Sequence, residues 1–105
     1  MREVSLDKFA AAHAAGAIVI DVREPFEYAV GHVPGARLLP LAQVPLEVSS
    51  LTADAPVYVI CASGNRSLAA ADYLWMRGID AWSVAGGTSA WERSGRTVTR
   101  ATGVA

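Results

Sequence analysis

Three short apolar runs recur along the chain, Ala17-Ile18-Val19-Ile20, Val57-Tyr58-Val59-Ile60 and Ala81 to Val84, with helix-like segments between them. This alternation limits the fold more than any other feature. Each run is too short for a helix and reads as a buried strand. Strands that alternate with helices make a parallel sheet, because each crossover places a helix on a face of the sheet.

The connecting segments carry helix and turn signals. Ser5 can cap a helix through Leu6, Phe9, Ala10 and Ala14 that stops at Gly16, and Val4 ends a brief first strand. The strand Ala17 to Asp21 leads to Pro25, which suits the first turn of a short helix, Phe26 to Val30, closed by Gly31. His32-Val33-Pro34-Gly35 then turns the chain into a strand at Arg37-Leu38-Leu39. Pro40 and Pro45 punctuate one or two short helical pieces within Leu41 to Leu51. After the strand at Val57 to Ile60, a helix is expected from Ser67, as N-cap, to a stop at Gly78, and a last one over Thr88 to Arg93 behind a Gly86-Gly87 turn.

With 105 residues, the chain is expected to form one domain over residues 1–105 without metal or disulfide staples. The polar tail from about residue 96 has the least reason to be ordered. Nine basic and ten acidic residues give a formal net charge of -1. That balance offers no electrostatic footprint for nucleic acid or for an anionic membrane. One cysteine excludes an internal disulfide, and Cys61, His13 and His32 lack the spacing of a zinc site, so no such site is expected. Charges interleave the first residues, and the apolar stretch Ala14 to Ile20 ends in Asp21, so neither a signal peptide nor a membrane span is read and the expected location is the cytoplasm.

The single cysteine, Cys61, closes the Val57 to Ile60 run, and Ala62, Ser63, Gly64, Asn65 and Arg66 follow before the helix. A packing cysteine belongs inside an apolar run; this one lies at the strand-to-loop junction, where ligands bind in open parallel sheets. Loop N–H groups and a helix start lower a thiol's pKa and converge on an anion, which makes Cys61 a candidate nucleophile. Arg66 either faces an anionic substrate or folds back to tie the loop carbonyls. Ser67 caps the helix and is placed to donate to an anion held in the loop.

Other residues have structural readings. His32 anchors its own turn, and His13 sits on a helix surface. Trp75, Trp82 and Trp91 read as core or pocket wall, with Trp91 the nearest to the mouth of the site.

Four landmarks stand in order: Asp21-Val22-Arg23-Glu24 with Glu27-Tyr28, then Gly31-His32-Val33-Pro34-Gly35-Ala36, then Cys61-Ala62-Ser63-Gly64-Asn65-Arg66-Ser67, then Gly86-Gly87-Thr88-Ser89-Ala90-Trp91. With them the chain resembles the rhodanese-like sulfurtransferases over nearly its whole length. The resemblance implies a three-layer α/β/α fold with a five-stranded parallel sheet in the order 3-2-4-5-1. It further implies that Cys61 takes the sulfane sulfur of thiosulfate or a persulfide donor, holds it as a persulfide, and passes it to cyanide or a thiol, a protein thiol included. Residues 62 to 67 would bind the substrate, Asp21 and Arg23 would brace loops through hydrogen bonds and ion pairs, and no metal or organic cofactor would be needed.

Phosphatases of similar architecture use Cys-x5-Arg to surround phosphate. Here the spacing is Cys-x4-Arg, which suits a single sulfur atom and leaves phosphatase or arsenate reductase activity a distant alternative. Relatives that use thiosulfate often carry basic side chains inside the loop, whereas Ala62 and Ser63 are neutral. A second reading is therefore a persulfide carrier or protein-interaction module with little turnover of small molecules. Thr88 stands where an apolar residue usually follows the Gly-Gly pair and is expected to affect packing rather than chemistry.

Overall fold

A computed structural model describes residues 1–51 and 54–100. The strands are β1 (Glu3–Val4), β2 (Ile18–Asp21), β3 (Arg37–Leu38), β4 (Val57–Ile60) and β5 (Ala81–Val84). The helices are α1 (Leu6–Ala14), α2 (Pro25–Val30), α3 (Val44–Glu47), α4 (Asn65–Met76) and α5 (Gly87–Arg93), and 3-10 turns flank α3. The described residues form one five-stranded sheet in the order β1-β5-β4-β2-β3, and each of its pairings is parallel. Read from the other edge, this is the expected order 3-2-4-5-1.

Alternation along the strands divides the buried side chains between two faces. Ile20, Val57, Val59 and Ala81 pack with Ala70, Ala71 and Leu74 of α4 and with Val44 of α3. Val19, Ile60 and Val84 pack with Phe9 of α1 and Trp91 of α5. On α4 the buried residues Ser67, Ala70, Ala71 and Leu74 repeat at helical spacing, and the small alanines let the helix lie close on β4 and β5. No described helix is long and apolar enough to cross a membrane.

Helix α1 has its expected cap, since the Ser5 side chain accepts the Lys8 N–H at 3.1 Å. Helix α2 starts with a reciprocal capping box between Glu24 and Glu27 and carries Pro25 in its first turn.

The start of α4 departs from expectation. Ser67 is not the N-cap: the helix begins at Asn65, behind Gly64 at φ 111. That left-handed conformation favours glycine and turns the chain from the Cys61 loop straight into the helix. Ser67 therefore sits inside the first turn, with its hydroxyl aimed back into the loop. Likewise α5 starts at Gly87 rather than Thr88, behind Gly86 at φ 77.

Residues 96–100, expected to be loose, are held. The Trp91 ring N–H donates to the Thr97 carbonyl at 2.8 Å, and Thr99 bridges to His32 through backbone bonds of 2.9 and 2.7 Å. Val98 packs against the α1–α5 side of the core. Its apolar side chain in a polar stretch is what returns this segment to the body. The rest of the tail, residues 101–105, lies outside the described residues.

Candidate functional site

Cys61 follows directly on β4 and is 1% exposed. Its Sγ accepts the Gly64 N–H at 3.1 Å and the Ser67 N–H at 3.3 Å, and lies 3.3 Å from Ser67 Oγ. Two of these donors belong to the start of a 12-residue helix, whose N-terminal field also favours an anion. Burial is the largest influence on the thiol and pushes its pKa up. The Ser67 hydroxyl and the N–H groups of Ser67, Gly64 and Ser63 outweigh it, so the pKa lies below that of an ordinary thiol.

A second helix start fixes the loop from behind. The Thr88 N–H donates to the Cys61 carbonyl at 2.8 Å and the Ser89 N–H donates to the Ala62 carbonyl at 3.0 Å. These donors of α5, which have no partner within their own helix, take the loop carbonyls on one side and leave the loop N–H groups facing the sulfur. The fit depends on Gly87: a Cβ there would lie 2.5 Å from the Cys61 carbonyl oxygen and 2.6 Å from that of Ala62.

Arg66 does not fold back onto the loop carbonyls. Its guanidinium makes a bidentate ion pair with Glu27 of α2, at 2.8 and 2.9 Å. The Arg66 hydrogen bonds, opposed by burial and helped by the Glu24 N–H, hold the Glu27 pKa at about 2. The loop carbonyls that Arg66 was expected to tie are tied by Thr88 and Ser89 instead.

Of the residues singled out in the sequence, Cys61, Gly64 and Ser67 meet at the sulfur. Ala62 contributes its carbonyl to the contact with α5, Arg66 braces the loop against α2, and Ser63 and Asn65 are exposed at the loop surface. Asp21 and Arg23 form the expected buried brace: the guanidinium bonds to both carboxylate oxygens and donates to the Gly31 carbonyl at 2.7 Å. His32 anchors its own turn, its Nδ1 lying 2.9 Å from the Tyr28 carbonyl and its ring stacked on Tyr28.

Two expectations fail. Trp91 does not reach the site; it is buried edge-on to Phe9 and His13 because its large ring fills the α1–α5 interface. His13 is no simple surface residue, since its Nε2–H donates to the Pro34 carbonyl at 2.7 Å. Trp75 and Trp82 are elsewhere, flanking the Arg2 guanidinium at 3.8 Å from each ring.

The sequence reading missed Ser83, a fully buried hydroxyl on β5 that lies 2.8 Å from Ser67 Oγ. The available signal was a single polar side chain in an apolar strand, on the same face as Ala81. It also missed the pairing of Glu27, whose helix lies far from Arg66 in sequence. Among the described residues no three His, Cys, Asp or Glu side chains converge on a point that could hold a metal ion.

Comparison with known proteins agrees with this architecture. Residues 5–94 match the family model of the rhodanese-like domain. A thiosulfate sulfurtransferase GlpE from Pseudomonas entomophila is 37% identical over 91 residues, covering 86% of this chain and 84% of that protein. The crystal structure of a rhodanese-related protein from Thermoplasma volcanium superposes with a TM-score of 0.88 at 32% identity, covering 94% of this chain and 98% of the other. A rhodanese-like domain protein from Staphylococcus aureus gives a TM-score of 0.81 at 33% identity over 87% of this chain and 91% of that one. With its sheet order, its cysteine loop and these matches in agreement, the chain belongs to the rhodanese-like domain family.

Proposed function

We propose that this protein is a sulfurtransferase that carries sulfane sulfur on Cys61. The observation that carries the reading is the position of Sγ, the focus of the Gly64 and Ser67 N–H groups at the start of α4. The Cys61 thiolate attacks the outer sulfur of thiosulfate or of a persulfide. A new S–S bond forms, the donor's own S–S bond breaks, and sulfite or a thiolate leaves with the bonding pair. The product is a Cys61 persulfide, whose terminal sulfur is again an anion held by loop N–H groups, in the manner of an oxyanion hole. An acceptor, cyanide or a thiol, then attacks that sulfur and the Cys61 thiolate leaves. The thiolate is made by its surroundings, so neither step needs a dedicated general base.

In this reading the Ser63, Gly64 and Ser67 N–H groups stabilise the sulfur directly, while Ala62, Asn65, Arg66 and the Ser63 side chain shape the opening. The family relatives named thiosulfate sulfurtransferase support the donor class. The experiment is intact-mass measurement after incubation with thiosulfate. A gain of one sulfur atom, reversed by cyanide and absent in Cys61→Ser, is expected; a gain that persists in Cys61→Ser would overturn the assignment. The short Cys-x4-Arg loop should give no Cys61-dependent hydrolysis of an aryl phosphate.

One observation favours the carrier reading. Arg66, the only charged side chain between Cys61 and Ser67, is neutralised by Glu27, and the neighbouring α2 exposes Phe26 (72%) and Val30 (73%). A neutral mouth beside apolar side chains suits a protein thiol better than a small dianion. Faster sulfur transfer to a protein thiol than to cyanide, with thiosulfate as the common donor, would support it.

A further inference from the structure

Strand β5 buries one polar side chain, Ser83, on the face that packs beneath the first turn of α4; its neighbour on that face, Ala81, belongs to the α4 side of the core. Ser83 is 0% exposed, and a hydroxyl in so dry a place has to direct its single proton at an acceptor. Among the described residues its one hydrogen-bond partner is Ser67 Oγ, at 2.8 Å. Ser67 Oγ in turn lies 3.2 Å from the Gly64 carbonyl oxygen and 3.3 Å from Cys61 Sγ.

The number of protons decides the direction of this chain. If Ser67 donated to Ser83, the Ser83 proton would have no acceptor, and Ser67 would have no proton left for either the carbonyl or the sulfur. Burying an unused donor is costly, because its hydrogen bond to water is lost and nothing replaces it. The reverse order satisfies every group. Ser83 donates to Ser67, and Ser67 donates to the Gly64 carbonyl while Cys61 is a thiol whose S–H points at Ser67 Oγ. When the sulfur is an anion, the Ser67 hydroxyl rotates to donate to Sγ instead, while Ser83 goes on donating to Ser67.

We propose that Ser83 is a positioning residue: by donating to Ser67 it frees the Ser67 proton for the Cys61 sulfur and strengthens that hydrogen bond whenever the sulfur is anionic. Ser83 does not itself touch the sulfur. Its effect is exerted wholly through Ser67, and successive hydrogen bonds in a low-dielectric site reinforce one another. The proposal rests on the reading of Cys61 as the reactive sulfur, but its test measures thiol acidity and not sulfur transfer.

The experiment is the pH dependence of iodoacetamide alkylation in the wild type, Ser83→Ala, Ser83→Thr, Ser67→Ala and the double Ala variant, with circular dichroism as the control for folding. Ser83→Ala is expected to raise the alkylation midpoint by about half a pH unit, roughly a threefold loss of thiolate at fixed pH. Ser67→Ala should raise it further, and the double variant should match Ser67→Ala, because Ser83 has no separate route to the sulfur. Ser83→Thr keeps the hydroxyl and should restore the wild-type midpoint.

A Ser83→Ala midpoint equal to that of the wild type overturns the proposal. So does a shift of equal size in the Ser67→Ala background, or a Thr variant displaced as far as the Ala variant, which would assign the effect to packing. Failure of thiosulfate to load sulfur while these midpoints behave as stated would overturn the sulfurtransferase reading alone.

Discussion

The Thr88 N–H donates to the Cys61 carbonyl at 2.8 Å, so the start of α5 holds the cysteine loop from the side opposite the sulfur. Two helix starts thus share one loop: α4 supplies donors to the thiol and α5 supplies donors to the carbonyls behind it. The Cys61 and Ala62 carbonyls are held from behind while the Gly64 and Ser67 N–H groups face the sulfur, which is the preorganisation that electrostatic stabilisation requires.

Gly87→Ala tests that contact. A Cβ at position 87 would lie 2.5 Å from the Cys61 carbonyl oxygen, at a φ of 59 that side chains rarely adopt. Both partners in the collision are backbone, so the loop has to move. The variant should lose at least about 1 kcal/mol of stability, read as a lower urea midpoint. It should also lose most of its sulfur loading from thiosulfate, because the N–H groups no longer converge. Loading at the wild-type rate in a folded Gly87→Ala protein would show that the α5 contact does not organise the loop.

Thr88 raises a separate question. Its Oγ1 is buried and has no hydrogen-bond partner among the described residues, although its backbone N–H is well used. Thr88→Val keeps the shape and removes the stranded hydroxyl. A buried polar group left unpaired costs about 1–3 kcal/mol, so the variant should be more stable by about 1 kcal/mol, or about 4–8 °C in Tm for a domain of this size. Sulfur loading should be unchanged. A lower Tm would show that the hydroxyl has a partner that the fold alone does not reveal.

Much of this architecture could be read in the sequence, and the misses have two causes. Strands β2, β4 and β5 are continuous apolar runs, and burial on both faces of a parallel sheet writes itself into the sequence as such runs. Cys61 stood out because it ends one of them. What could not be read was long-range pairing. Ser83 and Ser67 are separated by β5's own connection, Arg66 and Glu27 by β3, α3 and β4, and no periodicity links such partners. The start of α4 was misplaced by a local ambiguity: Ser67 has N-cap chemistry, but the left-handed Gly64 lets the helix begin earlier, and the serine hydroxyl is put to another use.

The Arg66–Glu27 pair makes stability depend on acid. Glu27 ionises at about 2 when folded, below its ordinary value of 4.5. A depressed carboxylate pKa adds stability that is fully present above the unfolded value and is lost as pH falls from 4.5 towards 2. Because the pair is partly exposed, solvent screening limits its contribution to about 1 kcal/mol. Glu27→Gln should therefore lower the urea midpoint at pH 7 and flatten its fall below pH 4.5. Equal acid sensitivity in the two proteins would assign the transition to other carboxylates.

The same pair bears on the choice of donor. Thiosulfate is a dianion, yet the charge of Arg66 is taken up by Glu27, and the two loop positions that follow the cysteine, Ala62 and Ser63, are neutral. Ser63 is exposed, so a longer side chain can enter there without displacing the core. Ser63→Lys should lower the KM for thiosulfate severalfold at low ionic strength. The gain should shrink as salt is raised towards 0.15 M, where the screening length falls to about 8 Å. An attraction for the free donor alone acts on KM and leaves kcat nearly unchanged. An alkyl persulfide carries at most a single charge and has no sulfonate to attract, so its response should be smaller than that of thiosulfate. An unchanged thiosulfate KM in Ser63→Lys, with Cys61 still alkylated as in the wild type, would show that charge at the mouth does not set the preference for donor.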